Sequence, residues 1–269
     1  MLLYKYIGRE QFFSNFKIRL TPPNALNDPR ECVPEIKLRD PRGYINNVIQ
    51  RNFESGYIRL LIENPHLTPE QALHAYLQAS TKTENDFHEN NEEWIRRIFD
   101  SFMKVTNRHI GVLSLSETNN NELMWAHYAN SHNGYVIGFD SENPFFKPTK
   151  SDPKVCGELM NVQYTDVAPI VYVDPGKFDI PKELFFTKTL QWSYEREWRM
   201  IKMLTAADEV IDEKIHLFQV PIDSVKEVIF GMKVSEPKRK DIESLLLSTA
   251  PHITFRSAKF DHRGSFTVA

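Results

Sequence analysis

The stretch Ile110–Asp140, "IGVLSLSETNNNELMWAHYANSHNGYVIGFD", decides how the chain is organised. Its opening "IGVLSLSE" alternates with a period of two, so Leu113 and Leu115 share one strand face while Ser114 and Ser116 share the other. "NNNELMWAHYAN" reads as a short helix begun by asparagines, with Gly134 as its left-handed stop. "YVIGFD" is the returning strand. Working outward, "LLYKYI" at residues 2–7 and "FKIRLTP" from Phe16 read as strands, as do "NVQYTD", "KIHLFQVP", "VKEVIFGM" and "ITFRSAKF". "EPKRKDIESLLLS" reads as an amphipathic helix. From Tyr44 to about Val105 the spacing turns helical. The "TPEQ" segment there offers Thr68 as cap, Pro69 at the first helical position and Gln71 to close a capping box. The expectation is an α+β fold, a mostly antiparallel and split β-sheet core in a single domain over residues 1–269, with a helical insertion at about 44–105.

With 269 residues, 41% of them hydrophobic, the chain can bury a large core. A net charge of -3 gives no global electrostatic pull toward nucleic acid or anionic membrane. Cys32 and Cys156 are too far apart in sequence to suggest a cysteine zinc site or a disulfide framework. The N-terminus lacks the apolar run of a signal peptide, and no later stretch is apolar enough to span a bilayer. A soluble, cytoplasmic protein with no membrane partner is expected. No glycine-rich phosphate loop of the P-loop or Rossmann type occurs, which argues against both classes.

The chemistry concentrates in "LQWSYEREWRMIK", residues 190–202, read as one strand. Extended geometry places Glu195, Glu197 and Arg199 on one face and Trp192, Tyr194, Trp198 and Met200 on the other, so the acidic row either faces water or lines a cleft. On a water-facing strand the glutamates would only pair with Arg196, Arg199 or Lys188, and such pairs stabilise little. In a cleft, a carboxylate beside a guanidinium stays ionised and can hold a hydroxyl or stabilise an oxocarbenium-like transition state. The Ser114 and Ser116 hydroxyls offer donors and acceptors to a polar ligand. His127 and His132 fall about 140° apart on a helix, poor geometry for a shared metal, and no metal cofactor is expected. "NALNDPRE", Asn24 to Glu31, is explained by Asx-turn chemistry.

Four blocks, "LYKY", "NALNDPRE", "LSLSE" with "NELMWAHYANSHNGYVIGFD", and "WSYEREWR", together resemble the bacterial family catalogued as domain of unknown function 2971. Their order is more distantly similar to the ADP-ribosyltransferase superfamily. There a first-strand Arg or His grips NAD, a Ser-Thr-Ser strand shapes the nicotinamide pocket, and the second glutamate of Glu-x-Glu holds the nicotinamide ribose. That resemblance places Lys5 at the first position, Ser114 and Ser116 at the second, and Glu195 and Glu197 at the third. Lysine lacks arginine's fork, and the central threonine is missing. It implies Glu197 and Glu195 as catalytic residues, with Lys5, Ser114, Ser116, Trp125, His127, Tyr128 and Arg199 contacting the nucleotide. It further implies NAD as substrate, a protein or nucleic-acid acceptor, and a bacterial stress or phage-defence setting. The alternatives are a non-catalytic sensor or effector module of such a system, and a hydrolase or nuclease using His127, Asp140 and the glutamates.

Overall fold

A computed structural model describes residues 1–149 and 156–269. The fold is α+β with predominantly antiparallel strand pairing. The chain divides into two compact units. One comprises Met1–Cys32, Thr106–Val167 and Phe185–Ala269; the other comprises Val33–Val105 and Ala168–Leu184.

The first unit is built on an eight-stranded sheet. Leu2–Ile7 lies near its middle, flanked by Tyr135–Asp140 and Ile110–Ser116. Glu197–Met203 follows on the latter side, and Val225–Phe230 and Thr254–Phe260 on the former. Period-two alternation sorts the two faces. Leu3, Leu113, Leu115, Ile137, Phe139, Met200 and Val228 join Phe12, Phe13 and Phe16, and Ile242 and Leu246 of helix Glu236–Thr249, in the main core. Each such side chain contributes about 1.5–3 kcal/mol on burial. On the opposite face Tyr6, Trp125, Val136 and Ile229 form a smaller cluster, and next to it stand the polar residues Ser114, Ser116, Glu197 and Arg199.

The sheet is nearly split in its middle. Leu2–Ile7 pairs with Tyr135–Asp140 at every residue, but joins Ile110–Ser116 in register at Tyr4 and Ser116 alone. Past that pair the strands diverge, and the Lys5 ammonium crosses to the Ser114 carbonyl at 2.9 Å. The strand opposite stays zipped throughout, from Glu197 against Ser116 to Met203 against Ile110.

The second unit holds helices Pro41–Arg51, Phe53–Glu63, Pro69–Glu89 and the part of Asn91–His109 up to Val105, with a small sheet of Glu35–Leu38, Ile170–Asp174 and Lys177–Asp179. The capping box forms: Thr68 Oγ1 accepts from the Gln71 N–H at 3.2 Å, and Gln71 returns the bond to the Thr68 N–H at 2.8 Å. The unit therefore extends beyond the helical stretch at 44–105, taking in strands that precede and follow it in sequence.

Two local expectations are corrected. Residues 190–202 are not one strand: Leu190–Glu195 is a 3-10 helix, Arg196 turns through a left-handed φ of 46°, and the strand begins at Glu197. Nor is Gly134 left-handed; Asn130, Ser131 and His132 make the turn, with φ of 48°, 52° and 70°. Glycine is required at 134 for a different reason, since a Cβ there would lie 2.3 Å from the Ile7 carbonyl oxygen.

Candidate functional site

A pocket of about 250 Å³ opens within the first unit where the two central strands diverge. Its walls come from segments far apart in sequence: Lys5 on the first strand, Arg19 on the second, Asn27 and Glu31 from the loop that follows, Ser114 and Ser116, Tyr128 at the end of the short helix, and Lys188, Glu195, Glu197 and Arg199. The Arg196 turn explains how both glutamates reach it. The left-handed residue ends the 3-10 helix with Glu195 pointing inward and sends its own side chain out to Glu117 at 2.8 Å, and the strand then starts with Glu197 on the pocket face.

The charges interlock. Arg199, fully buried, donates through Nε to Glu197 Oε1 at 2.7 Å and through Nη2 to Glu197 Oε2 at 3.0 Å, while Nη1 reaches the Phe185 carbonyl at 3.0 Å. Its Nη2 also donates to Glu31. Lys188 sits at the centre, 2.6 Å from Glu195, 3.1 Å from Glu197 and 3.2 Å from Glu31, with its ammonium 4.9 Å from the Trp192 ring centroid. Tyr128 donates its hydroxyl to Glu195 Oε1 at 2.6 Å, and the Tyr164 hydroxyl accepts from the Glu197 N–H at 2.8 Å. Three carboxylates thus share two cations.

The two glutamates are driven in opposite directions. Burial alone would raise the pKa of Glu197, but the guanidinium of Arg199 and the ammonium of Lys188 outweigh it and hold it down at about 2. Glu195, also buried, faces Lys188 without a guanidinium of its own and feels the charge of Glu197, so it lies above its ordinary range. Acceptor capacity separates them as well. Arg199 twice and Lys188 take three acceptor positions of Glu197, whereas Glu195 receives Lys188 and Tyr128 and keeps more capacity for a ligand hydroxyl.

Of the residues singled out from sequence, Lys5, Ser114, Ser116, Tyr128, Glu195, Glu197 and Arg199 all line this pocket. Ser116 serves the framework: its hydroxyl donates to the Glu195 carbonyl at 2.6 Å and accepts from the Thr118 N–H at 3.0 Å. Trp125 is not part of the lining. It is fully buried in the smaller core, edge-on to Tyr6, with its indole N–H on the Asn119 carbonyl at 2.8 Å. His127 is exposed on the outer side of the same helix, because only every third or fourth helical residue faces inward. Asp140 ends its strand opposite Leu2 and accepts from the Glu142 N–H, so the grouping of His127, Asp140 and the glutamates is not assembled. Glu31, Lys188 and Arg19 were missed as site residues. Turn chemistry does account for part of "NALNDPRE", with Asp28 accepting from the Arg30 N–H at 2.9 Å, but Asp28 also takes the Thr189 hydroxyl at 2.9 Å, and Glu31 turns inward to the cations.

Lys5 is half-buried as a residue, but its ammonium is packed in, and burial lowers its pKa to about 8 against the pull of Glu197 and Glu195. This has a testable sign. The folded pKa lies below the unfolded value of about 10.5, so between about pH 8 and pH 10.5 the unfolded chain binds more protons and stability rises with pH. Lys5→Met is expected to gain about 1–3 kcal/mol over wild type in urea unfolding at pH 7 and to lose that advantage by pH 10. A difference constant across the two pH values would place the ammonium in solvent.

The family model described as "Protein of unknown function (DUF2971)" matches residues 124–200, so the chain is similar to that family over the segment carrying Tyr128, Lys188, Glu195, Glu197 and Arg199. No curated protein and no solved structure shows significant similarity to it. Among the described residues no helix is long and apolar enough to cross a membrane.

Proposed function

We propose that this pocket cleaves an N-glycosidic bond of a nucleotide, with NAD as substrate, in the manner of an ADP-ribosyltransferase or NAD glycohydrolase. The observation that carries the reading is convergence: Lys5, Ser114, Tyr128 and both glutamates, nearly 200 positions apart at their extremes, line one pocket at a split in the sheet. The opposed pKa directions of the glutamates support a division of labour between them. As the bond between ribose C1′ and the nicotinamide nitrogen breaks, the pair of electrons leaves with nicotinamide and C1′ becomes oxocarbenium-like. Glu197, locked and ionised, supplies fixed negative charge to that centre. Glu195, with acceptor capacity to spare, orients the incoming nucleophile, takes its proton as the new C1′ bond forms, and contacts a ribose hydroxyl. The resemblance assigns the ribose to the second glutamate; the heavier commitment of Glu197 to Arg199 and Lys188 moves that role to the first. The acceptor is water, a protein side chain or a nucleic-acid base, and a bacterial stress or phage-defence setting suits such an activity.

Nicotinamide release from NAD by the purified protein tests the reading, with Tyr128→Phe as the informative variant. Tyr128 donates to Glu195 and so favours its ionised form. Losing the hydroxyl is expected to cost about tenfold in rate, a small effect for one charge-assisted hydrogen bond, and to move the acid limb of the pH–rate profile upward. Release no faster than the uncatalysed background from wild type, across pH 5 to 9 and with protein and nucleic-acid acceptors supplied, removes the proposal.

A further inference from the structure

Helices Phe53–Glu63 and Pro69–Glu89 of the second unit pack side by side, and their contacts fix which way each face points. The Phe53 ring meets the Tyr76 ring edge-on at 5.1 Å, a Cβ on Gly56 would lie 2.7 Å from the same ring, and the Tyr57 hydroxyl donates to the Pro69 carbonyl at 3.3 Å, so the pair is antiparallel. In such a pair the residue before each inward-facing position falls on one flank and the residue after it on the other. The first flank, with Ser55 and Arg59, faces helix Pro41–Arg51 across a cavity that Val48 and Ile49 also line. The second carries Ile58 and Leu61 from one helix and Leu73 and Leu77 from the other. Among the described residues none covers it: Ile58 is 53% exposed and Leu77 55%. No residue of Phe53–Glu63 is buried, although six of its eleven are apolar or aromatic. A helix of that composition ordinarily sinks an apolar stripe into a core, and an apolar face left open across two helices marks a docking surface.

The same flank carries Glu54, Glu70 and Glu84 and neither lysine nor arginine, and among the described residues none of the three acids is in an ion pair. The helix dipoles account for Glu54 and Glu70, each in a first turn; Glu84 has no such reason. This charge selects the occupant. A second copy of the chain would set acids against acids, and an anionic bilayer would be repelled. A helix whose apolar stripe runs between lysine or arginine rims answers both features. We propose that this flank docks a basic amphipathic helix of a partner protein, with the apolar stripe on Ile58, Leu73 and Leu77 and the basic rims on Glu54, Glu70 and Glu84. The proposal concerns the second unit alone and is independent of the chemistry assigned to the pocket.

The probe is a synthetic helical peptide of about five turns, with leucines along one face and lysines on both edges of it, titrated against the whole protein by fluorescence anisotropy. Wild type is expected to bind it with micromolar affinity that weakens as salt is added, and to ignore a twin peptide carrying glutamates in place of the lysines. Leu77→Glu, at an exposed position, is expected to weaken binding about tenfold although it adds an acid, with the unfolding midpoint close to that of wild type. Glu70→Lys combined with Glu84→Lys is expected to invert the preference between the two peptides. No binding of the lysine peptide, equal binding of both peptides, or an affinity that neither set of substitutions changes overturns the proposal. Sedimentation and vesicle flotation test the other occupants. A dimer that Leu77→Glu dissolves would give the face to a second copy, and recruitment to phosphatidylserine vesicles that Leu77→Glu abolishes would give it to a membrane; either result overturns the proposal.

Discussion

Arg199→Met is expected to lower the free energy of unfolding by about 3–5 kcal/mol at pH 7, because it leaves Glu197 and Glu31 buried beside a single remaining cation. Methionine fills much of the same volume, so the loss is charge compensation more than packing. Acidification distinguishes the two. In wild type the folded pKa of Glu197, about 2, lies below the unfolded value near 4.5, so its contribution is complete above pH 4.5 and is lost as pH falls toward 2. Without the guanidinium, Glu197 takes up its proton at higher pH in the folded state, and the penalty of the variant shrinks on acidification. Urea unfolding at pH 7 and pH 4 is expected to show the deficit narrowing. A deficit that is the same at both would assign the effect to a packing defect. Arg199→Met combined with Glu197→Gln is expected to recover part of the loss, since the second change removes a charge that the first had stranded.

How much of this could be read from the residues depends on how local each signal was. Strands whose two faces meet different surroundings announce themselves: Leu113 and Leu115 against Ser114 and Ser116 fixed both the strand and the polar side of it. The capping box at Thr68 is likewise a three-residue signal and formed as written. The carboxylate pair was legible as residues but not as geometry. Alternation put Glu195 and Glu197 on one face of a continuous strand, whereas the chain brings them together through a 3-10 turn and a left-handed arginine, a conformation that propensity disfavours and tertiary packing imposes. Glu31 and Lys188 were invisible as partners because nothing local ties position 31 to position 199; their roles exist only once the loop and the strand are folded against each other. Trp125 and His127 illustrate the converse. Residue type suggested a ligand, but a short helix shows the sheet one side only, and register gave Trp125 to the core, His127 to solvent and Tyr128 to the pocket.

Glu195→Gln is expected to reduce nicotinamide release by about a hundred- to a thousandfold while leaving KM nearly unchanged, the signature of a group that handles a proton in the transition state more than it binds the ground state. Glutamine keeps an oxygen for the Tyr128 hydroxyl, and Lys188 retains Glu197 and Glu31, so the fold is expected to tolerate the change far better than it tolerates Arg199→Met. The comparison with Glu197→Gln then separates the two carboxylates. Neutralising Glu197 strands part of the charge on Arg199 and Lys188, so that variant is expected to lose stability together with activity. Glu195→Gln is expected to lose activity with its unfolding midpoint close to that of wild type. Should Glu195→Gln retain full nicotinamide release while Glu197→Gln abolishes it at unchanged stability, the assignments would be reversed. The second glutamate would then meet a ligand hydroxyl at the acceptor position that Arg199 and Lys188 leave open.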